Sequence, residues 1–253
     1  MSTHRIVVKT HIDYDRETLQ LSPEWVQARL ELFHRTTLKS LLNQTDGDFD
    51  VLVLCGNRHE EITRNYPWSP RVIPCWDKGQ AYFAAQSTDY LAIARLDSDD
   101  LYHREAVATL RTFLRFRPRR VVTLIFRENL RWDKNNNVLG FHYRKAPPFF
   151  THVLPKAMYR NWDCLQSVNY VTHGASGAKT EMAIALPRHL VCVVKHKANI
   201  SDIRRSRDIM TFTRHQRLRL TGADPWVEKY AILTADQFEV ESILAEFGVA
   251  PDD

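Results

Sequence analysis

The sequence predicts an α/β fold, a mixed and mainly parallel sheet flanked by helices. Three observations carry that expectation. Short apolar runs rich in β-branched residues recur over 5–10, 49–54, 71–74, 90–95 and 121–126. Stretches with apolar residues at helical spacing stand between most of them and the connections are short, the pattern of strands laid parallel through crossover helices. The fourth run ends in Asp97-Ser98-Asp99-Asp100, three carboxylates within four positions. Ligands of open α/β sheets sit beyond the carboxyl ends of the strands, so this is the expected functional edge.

In order along the chain, Arg5-Ile-Val-Val-Lys-Thr10 is the first strand and a polar loop follows it. Ser22-Pro23-Glu24-Trp25 opens a helix, with Ser22 as N-cap and Pro23 at the first helical position. Val26, Leu30, Phe33, Leu38, Leu41 and Leu42 mark its apolar face, which stops before Asp46-Gly47-Asp48. The second strand ends in Cys55-Gly56-Asn57, a turn over 65–70 precedes the third strand, and 78–87 reads as a helix. Past the aspartates, either Asp99 or Asp100 could cap a helix starting near Leu101, and Ala106, Val107, Leu110, Phe113 and Leu114 describe an amphipathic helix. Asn135-Asn136-Asn137 reads as a hairpin turn, beyond which the sheet becomes mixed. The segment 145–155, rich in Pro and aromatic residues, is read as a binding loop or lid, or as packing of Phe149 and Phe150 on the sheet. Residues 182–186 and 190–194 are short strands or helix ends. From Arg204 the chain reads as helical, with 226–244 as the closing helix.

A chain of 253 residues can bury one sizeable core. No apolar run approaches the roughly 20 residues of a membrane span, and the amino terminus lacks a signal-peptide pattern, so a cytoplasmic location is expected. Cys55, Cys75, Cys164 and Cys192 stand far apart with no C-x-x-C pair, which excludes a cysteine zinc site and a disulfide scaffold. The net charge is +5, and over 195–219 Lys195, Lys197, Arg204, Arg205, Arg207, Arg214, Arg217 and Arg219 face only Asp202 and Asp208. Such a segment is either a solvated basic helix face or a surface for pyrophosphates, polyanions or an anionic membrane.

Carboxylates packed a few ångströms apart raise one another's pKa unless a cation neutralises them. A hard divalent ion, Mn²⁺ or Mg²⁺, is the usual partner of oxygen ligands, so Asp97 and Asp99 point to a metal-assisted site for a phosphorylated ligand. The competing reading is a solvated turn that caps the next helix.

The strand that runs into Ala94-Arg95-Leu96-Asp97-Ser98-Asp99-Asp100, with Val194-Lys-His196-Lys-Ala-Asn199-Ile-Ser201 downstream, resembles the GT-A glycosyltransferases, and in particular the bacterial rhamnosyltransferase family. The resemblance covers residues 5–205 and implies a GT-A, Rossmann-like sheet. It implies a glycosyltransferase domain over 1–205, with a nucleotide-sugar half at 1–126 and an acceptor half at 127–205, and a helical extension over 206–253. It further implies Asp97, Asp99 and His196 as metal ligands. Thr10, His11, Gly56, Asn57, Lys78, Arg95, Asp97, Lys195 and Lys197 would contact the nucleotide sugar. An acidic base-reading residue, common in family-2 enzymes after the second strand, is replaced here by Cys55-Gly-Asn-Arg58. The Glu-Asp pair that usually deprotonates the acceptor is missing too, which leaves Asp163, His173 and Glu181 as candidate bases.

What the resemblance implies is a metal-dependent hexosyltransferase that moves a sugar, rhamnose for instance, from a nucleoside-diphosphate donor to a glycan or lipid-linked acceptor with inversion. The enzyme would act in polysaccharide biosynthesis and bind no nucleic acid; the basic stretch 204–219, rather than the resemblance, points to peripheral contact with an anionic membrane. Two other classes stay open: a nucleotidyltransferase or phosphohydrolase using the same carboxylates, and a non-catalytic basic module for nucleic acid or membrane.

Overall fold

The computed structural model describes residues 3–12, 21–114, 117–144, 149–169, 182–187, 189–196 and 228–252. The strands are β1 (His4–His11), β2 (Asp50–Leu54), β3 (Val72–Cys75), β4 (Tyr90–Arg95), β5 (Leu101–Tyr102), β6 (Val122–Ile125), β7 (Glu128–Asp133), β8 (Val138–Arg144), β9 (Phe150–Pro155), β10 (Met182–Ala185), β11 (Val191–Lys195) and β12 (Glu228–Thr234). The helices are α1 (Pro23–Arg35), α2 (Thr37–Leu42), α3 (Glu60–Asn65), α4 (Gln80–Ala85), α5 (Ala106–Phe113), α6 (Lys156–Tyr159), α7 (Trp162–Asn169) and α8 (Gln237–Ala245).

Seven strands form the main sheet in the order β10-β6-β9-β4-β1-β2-β3. β1, β2, β3 and β4 run parallel, β9 alone runs antiparallel between β4 and β6, and β10 is parallel to β6. The expected mainly parallel α/β sheet is therefore present. Its strands are apolar on both faces because helices cover both. Ile6, Val8, Val51, Val53, Ala92 and Ala94 pack with Val26, Leu30 and Phe33 of α1 and Val107 and Leu110 of α5. The alternate residues Val7, Leu52, Leu54, Leu91, Ile93 and Leu154 pack with Phe83 of α4, Tyr159 of α6 and Leu165 and Val168 of α7.

α1 starts as its sequence dictates. Ser22 lies in extended backbone and its side chain accepts the Trp25 amide, with Pro23 at the first helical position. The predicted continuous helix breaks at Thr36, whose hydroxyl turns back to bond the Leu32 carbonyl.

A second sheet, β12-β8-β7-β11-β5, lies beyond the carboxyl end of β4. β7 and β8 form the expected hairpin, turning through Asn137 at φ +48°. Its core is Leu130, Trp132, Leu139, Cys192 and Val194, closed by Val240 and Leu244 of α8 with Phe247 and Val249.

Three expectations are corrected. Leu101–Tyr102 is a strand paired with β11, not a helix start, so neither Asp99 nor Asp100 caps a helix there. Phe150–Pro155 is an interior strand between β4 and β6 and not a lid; of the two readings of this segment the packing one holds, with Phe149 and Phe150 buried on the sheet. Glu228–Thr234, read as helix, is a strand that pairs with β8. The register of apolar residues in so short a run fits either period, and the open edge of β8 selects the strand. The basic segment after Lys197 lies outside the described residues. No helix among the described residues is long and apolar enough to cross a membrane.

Gly248 follows α8 at φ +72°, and a Cβ there would lie 2.6 Å from the Asn43 Cβ. Gly47 has nothing within 4 Å of the same position. Replacing Gly248 with Ala is expected to lower stability by about 2 kcal/mol, against less than about 1 kcal/mol for Gly47→Ala. Urea denaturation of the two variants checks this; equal losses would contradict it.

Candidate active site at the carboxyl edge of the sheet

The parallel strands deliver Thr10 and His11 from β1, Gly56 and Asn57 after β2, Lys78 after β3 and Arg95 to Asp100 after β4 to one edge of the sheet. Strand alternation then divides the aspartate motif. Arg95 and Asp97 stay together, the guanidinium donating to Asp97 Oδ1 at 3.1 Å. The turn that follows, closed by the Asp100 amide donating to the Asp97 carbonyl at 3.1 Å, sends the next two carboxylates elsewhere.

Asp99 meets α1 and the end of β11. Arg29 donates from Nη1 to Asp99 Oδ2 at 2.8 Å and from Nε to Ser98 Oγ at 2.8 Å. His196 Nε2 stands 3.1 Å from the same Asp99 oxygen. The side chains of Arg29, Asp99 and His196 are each only 10 % exposed. Burial by itself would push the Asp99 carboxyl up, but the charge of Arg29 and the bonds from His196 and Arg29 outweigh it and hold the group near 2. Asp99 is thus an anion at neutral pH. Asp100 accepts the Val194 amide on Oδ1 at 2.9 Å. Its burial, with Asp99 and Asp97 close by, raises its carboxyl well above the usual range.

Among the described residues, no group of three or more His, Cys, Asp or Glu side chains is set to hold a metal ion. Of the three expected ligands, the structure joins Asp99 to His196 and turns Asp97 away to Arg95. One carboxylate and one imidazole still fit an ion that takes its remaining ligands from water and from substrate phosphates, the habit of Mg²⁺ and Mn²⁺ in nucleotide sites. They do not make a closed protein cage, and Arg29 already offsets the Asp99 charge.

The remaining expected residues divide. Thr10 is fully buried on the α1 face, its hydroxyl with no hydrogen bond among the described residues. Lys78, at φ +59°, shapes the turn into α4. Lys195 is half-buried at the end of β11, beside His196. Asp163 is exposed in the first turn of α7. That helix follows Arg160, which bonds the Gln86 carbonyl at the amino end of β4. A six-residue strand, roughly 20 Å, therefore separates Asp163 from the aspartates, and the structure does not bring it to the site. His173, Glu181 and Lys197 lie outside the described residues.

Sequence reasoning missed Arg29, Lys9 and His152. Arg29 stands at the buried spacing 26, 29, 30, 33 of α1, a charge inside an apolar stripe, and that was the available signal. Lys9 and His152 occupy strand interiors and are each 1 % exposed. Burial, with the charge of Lys9, lowers the His152 imidazole to about 3. His11, too, is held well below its usual value by burial, Lys9 and Arg95.

With this geometry in view, comparison with known proteins finds one family: residues 6–66, from β1 through α3, match the model of the family described as "Putative rhamnosyl transferase". No curated protein matches the chain. Among solved structures, S. aureus TarS 1–349 in complex with UDP-GlcNAc is 12% identical at TM-score 0.42, with 76% of this chain and 59% of that chain covered. Rv0371c from Mycobacterium tuberculosis H37Rv is 12% identical at TM-score 0.37, covering 81% and 98%. The glycosyltransferase GlyE of Streptococcus pneumoniae TIGR4 is 11% identical at TM-score 0.33, covering 73% and 46%. The chain thus spans about three fifths of the TarS fragment's length. Likenesses this weak carry no functional argument; the family match to 6–66 agrees with the resemblance in the motifs.

Two outcomes follow for stability. Arg29→Gln leaves the buried Asp99 charge short of its main partner and is expected to cost about 3 kcal/mol, while Arg64→Gln, which breaks an exposed i,i+4 pair with Glu60, costs about 0.5 kcal/mol or less. Chemical denaturation of both variants measures this, and similar losses would contradict the buried pair. Separately, an unfolded histidine takes up a proton below pH 6.5 that folded His152 refuses down to about 3. Stability should therefore fall as pH drops through that window, with His152 contributing a slope of up to about 1.4 kcal/mol per pH unit. In His152→Gln the fall should be shallower by that contribution; an unchanged slope would contradict it.

Proposed function

We propose that the chain is a glycosyltransferase that moves a sugar from a nucleoside-diphosphate donor to a glycan or lipid-linked acceptor, with rhamnose as the sugar and inversion at the anomeric carbon. One observation carries this reading. The family match ends at residue 66 and does not include the aspartates, yet Arg29, inside the match, grips Ser98 and Asp99 outside it. The matched segment and the motif that resembles the same enzymes thus form one site.

In this reading Asp99 and His196 are the residues that would hold Mn²⁺ or Mg²⁺. When bound, such an ion would supply positive charge where negative charge builds on the departing diphosphate. Arg29 keeps Asp99 ionised and fixes its orientation, so the carboxylate needs no reorganisation when the donor arrives. Gly56, Asn57 and Lys78, on the loops after β2 and β3, line the nucleotide end. His173 or Glu181 takes the acceptor proton. The chain works in the cytoplasm, where its basic segment after Lys197 touches an anionic membrane face that presents the acceptor.

Thermal denaturation with nucleoside diphosphates tests the reading. Mn²⁺ alone should shift the wild-type midpoint little, because the protein supplies only two ligands. Mn²⁺ with the matching nucleoside diphosphate should stabilise by about 2.7 kcal/mol at a hundred times Kd. EDTA or Asp99→Asn should remove that gain. A full shift in EDTA would sink the metal role, and no shift with any nucleotide would sink the transferase.

A further inference from the structure

The aspartate motif faces two ways, and the face away from Asp99 carries a second cluster. Lys9 follows Val7 in the alternation of β1, Arg95 follows Ile93 on β4, and His152 precedes Leu154 on β9, so the three share the face covered by α4, α6 and α7. Lys9 pairs with Arg95 in register. The Arg95 guanidinium lies 6.0 Å from the Phe150 ring centre, and that ring lies 4.6 Å from the His152 ring.

His152 carries the argument. Its Nδ1 is 2.9 Å from the Thr123 hydroxyl on β6. The other ring nitrogen, Nε2, makes no hydrogen bond among the described residues, in a side chain that is 1 % exposed. A buried polar atom without a partner is costly, and a ligand oxygen there would recover the loss. In the tautomer in which Nδ1 accepts the Thr123 proton, Nε2 is a donor. Lys9 of β1 acts on His152 through its charge, and Arg95 and Asp97 from the end of β4 and His11 from β1 lie in turn within electrostatic reach of Lys9. Burial and then the charge of Arg95 hold the Lys9 amine well below its usual value, and an oxyanion beside it would favour its charged form; with the Arg95 guanidinium fork and an imidazole N–H, it suits an oxyanion.

We propose that Lys9, Arg95 and His152 form an anion subsite, distinct from the Asp99 centre, that takes a phosphate or carboxylate group carried by the acceptor. This rests on the transferase reading above. The donor's diphosphate belongs to Asp99 and His196 on the other side of the motif, and His152 lies on β9, away from the β2 and β3 loops that line the nucleotide end.

Calorimetric titration of the full chain with inorganic phosphate, at ionic strength held constant with chloride, tests it. Saturable binding is expected in the wild type, weakened at least about tenfold in Lys9→Met and in Arg95→Gln, about 1.4 kcal/mol each. Circular dichroism of each variant verifies folding, and Lys9→Met removes the buried amine at nearly constant length. Binding that chloride reproduces, or that survives in both folded variants, overturns the subsite. A nucleoside diphosphate with Mn²⁺ that displaces phosphate and is itself weakened by Lys9→Met assigns the subsite to the donor, and overturns the acceptor assignment. Failure of the transferase reading shows separately, as no nucleoside diphosphate bound by the wild type under any metal condition, since the phosphate arm uses no nucleotide.

Discussion

Three carboxylates in four residues cannot share one environment, and the structure around them follows from that constraint. Each is given a different partner. Asp97 keeps to the sheet face of its own strand and takes Arg95. Asp99 is drawn into the gap between α1 and β11, where Arg29 and His196 hold it ionised. Asp100 sinks beneath β11 and is answered by a backbone amide, while burial and the neighbouring Asp99 and Asp97 push its carboxyl well above the usual range. The placement of α1 and of the second sheet over the end of β4 is what makes these three solutions available at once.

The main sheet could be read from the sequence because its strands are apolar on both faces and their spacing repeats. What escaped was governed by pairing rather than by local pattern. Leu101–Tyr102 is only two residues long and exists because β11 offers it an edge. β9 and β12 were misread for the same reason: a short run of mixed apolar and polar residues takes its state from the strand beside it. At the site, the acidic turn and His196 announced themselves through residue type and order. Arg29 did not, because a single arginine in a helical stripe gains meaning only when the helix is laid against Ser98 and Asp99. Lys9 and His152 look like interruptions of apolar strands until β1, β4 and β9 are placed side by side. The expectation for Asp163 failed on distance alone, since nothing in the sequence says at which end of β4 the helix α7 begins.

The two faces of the motif differ in kind. On the α1 side a carboxylate is presented, held by the buried side chain of Arg29. On the α7 side cations and imidazoles gather, with Asp97 at the rim, where it is 35 % exposed beside Arg95 at 22 %. A ligand that bridges the end of β4 would meet an ion pair on each side, Arg29 with Asp99 on one and Arg95 with Asp97 on the other, and the difference in their burial gives the edge of the sheet a direction.

The bonds that define the site join distant parts of the chain: 70 residues separate Arg29 from Asp99, 94 separate Val194 from Asp100, and 97 separate His196 from Asp99. Contacts of such length close large loops before they return any energy, and they form late and slowly. Within the sheet, β2 pairs with β3 and β1 with β2 across much shorter stretches of chain, whereas β1 meets β4 only from His4 to Tyr90, a separation comparable to those of the site. The β1–β2–β3 edge is therefore local in the chain, while the β1–β4 pairing and the site that stands on it are closed together by the same long-range contacts.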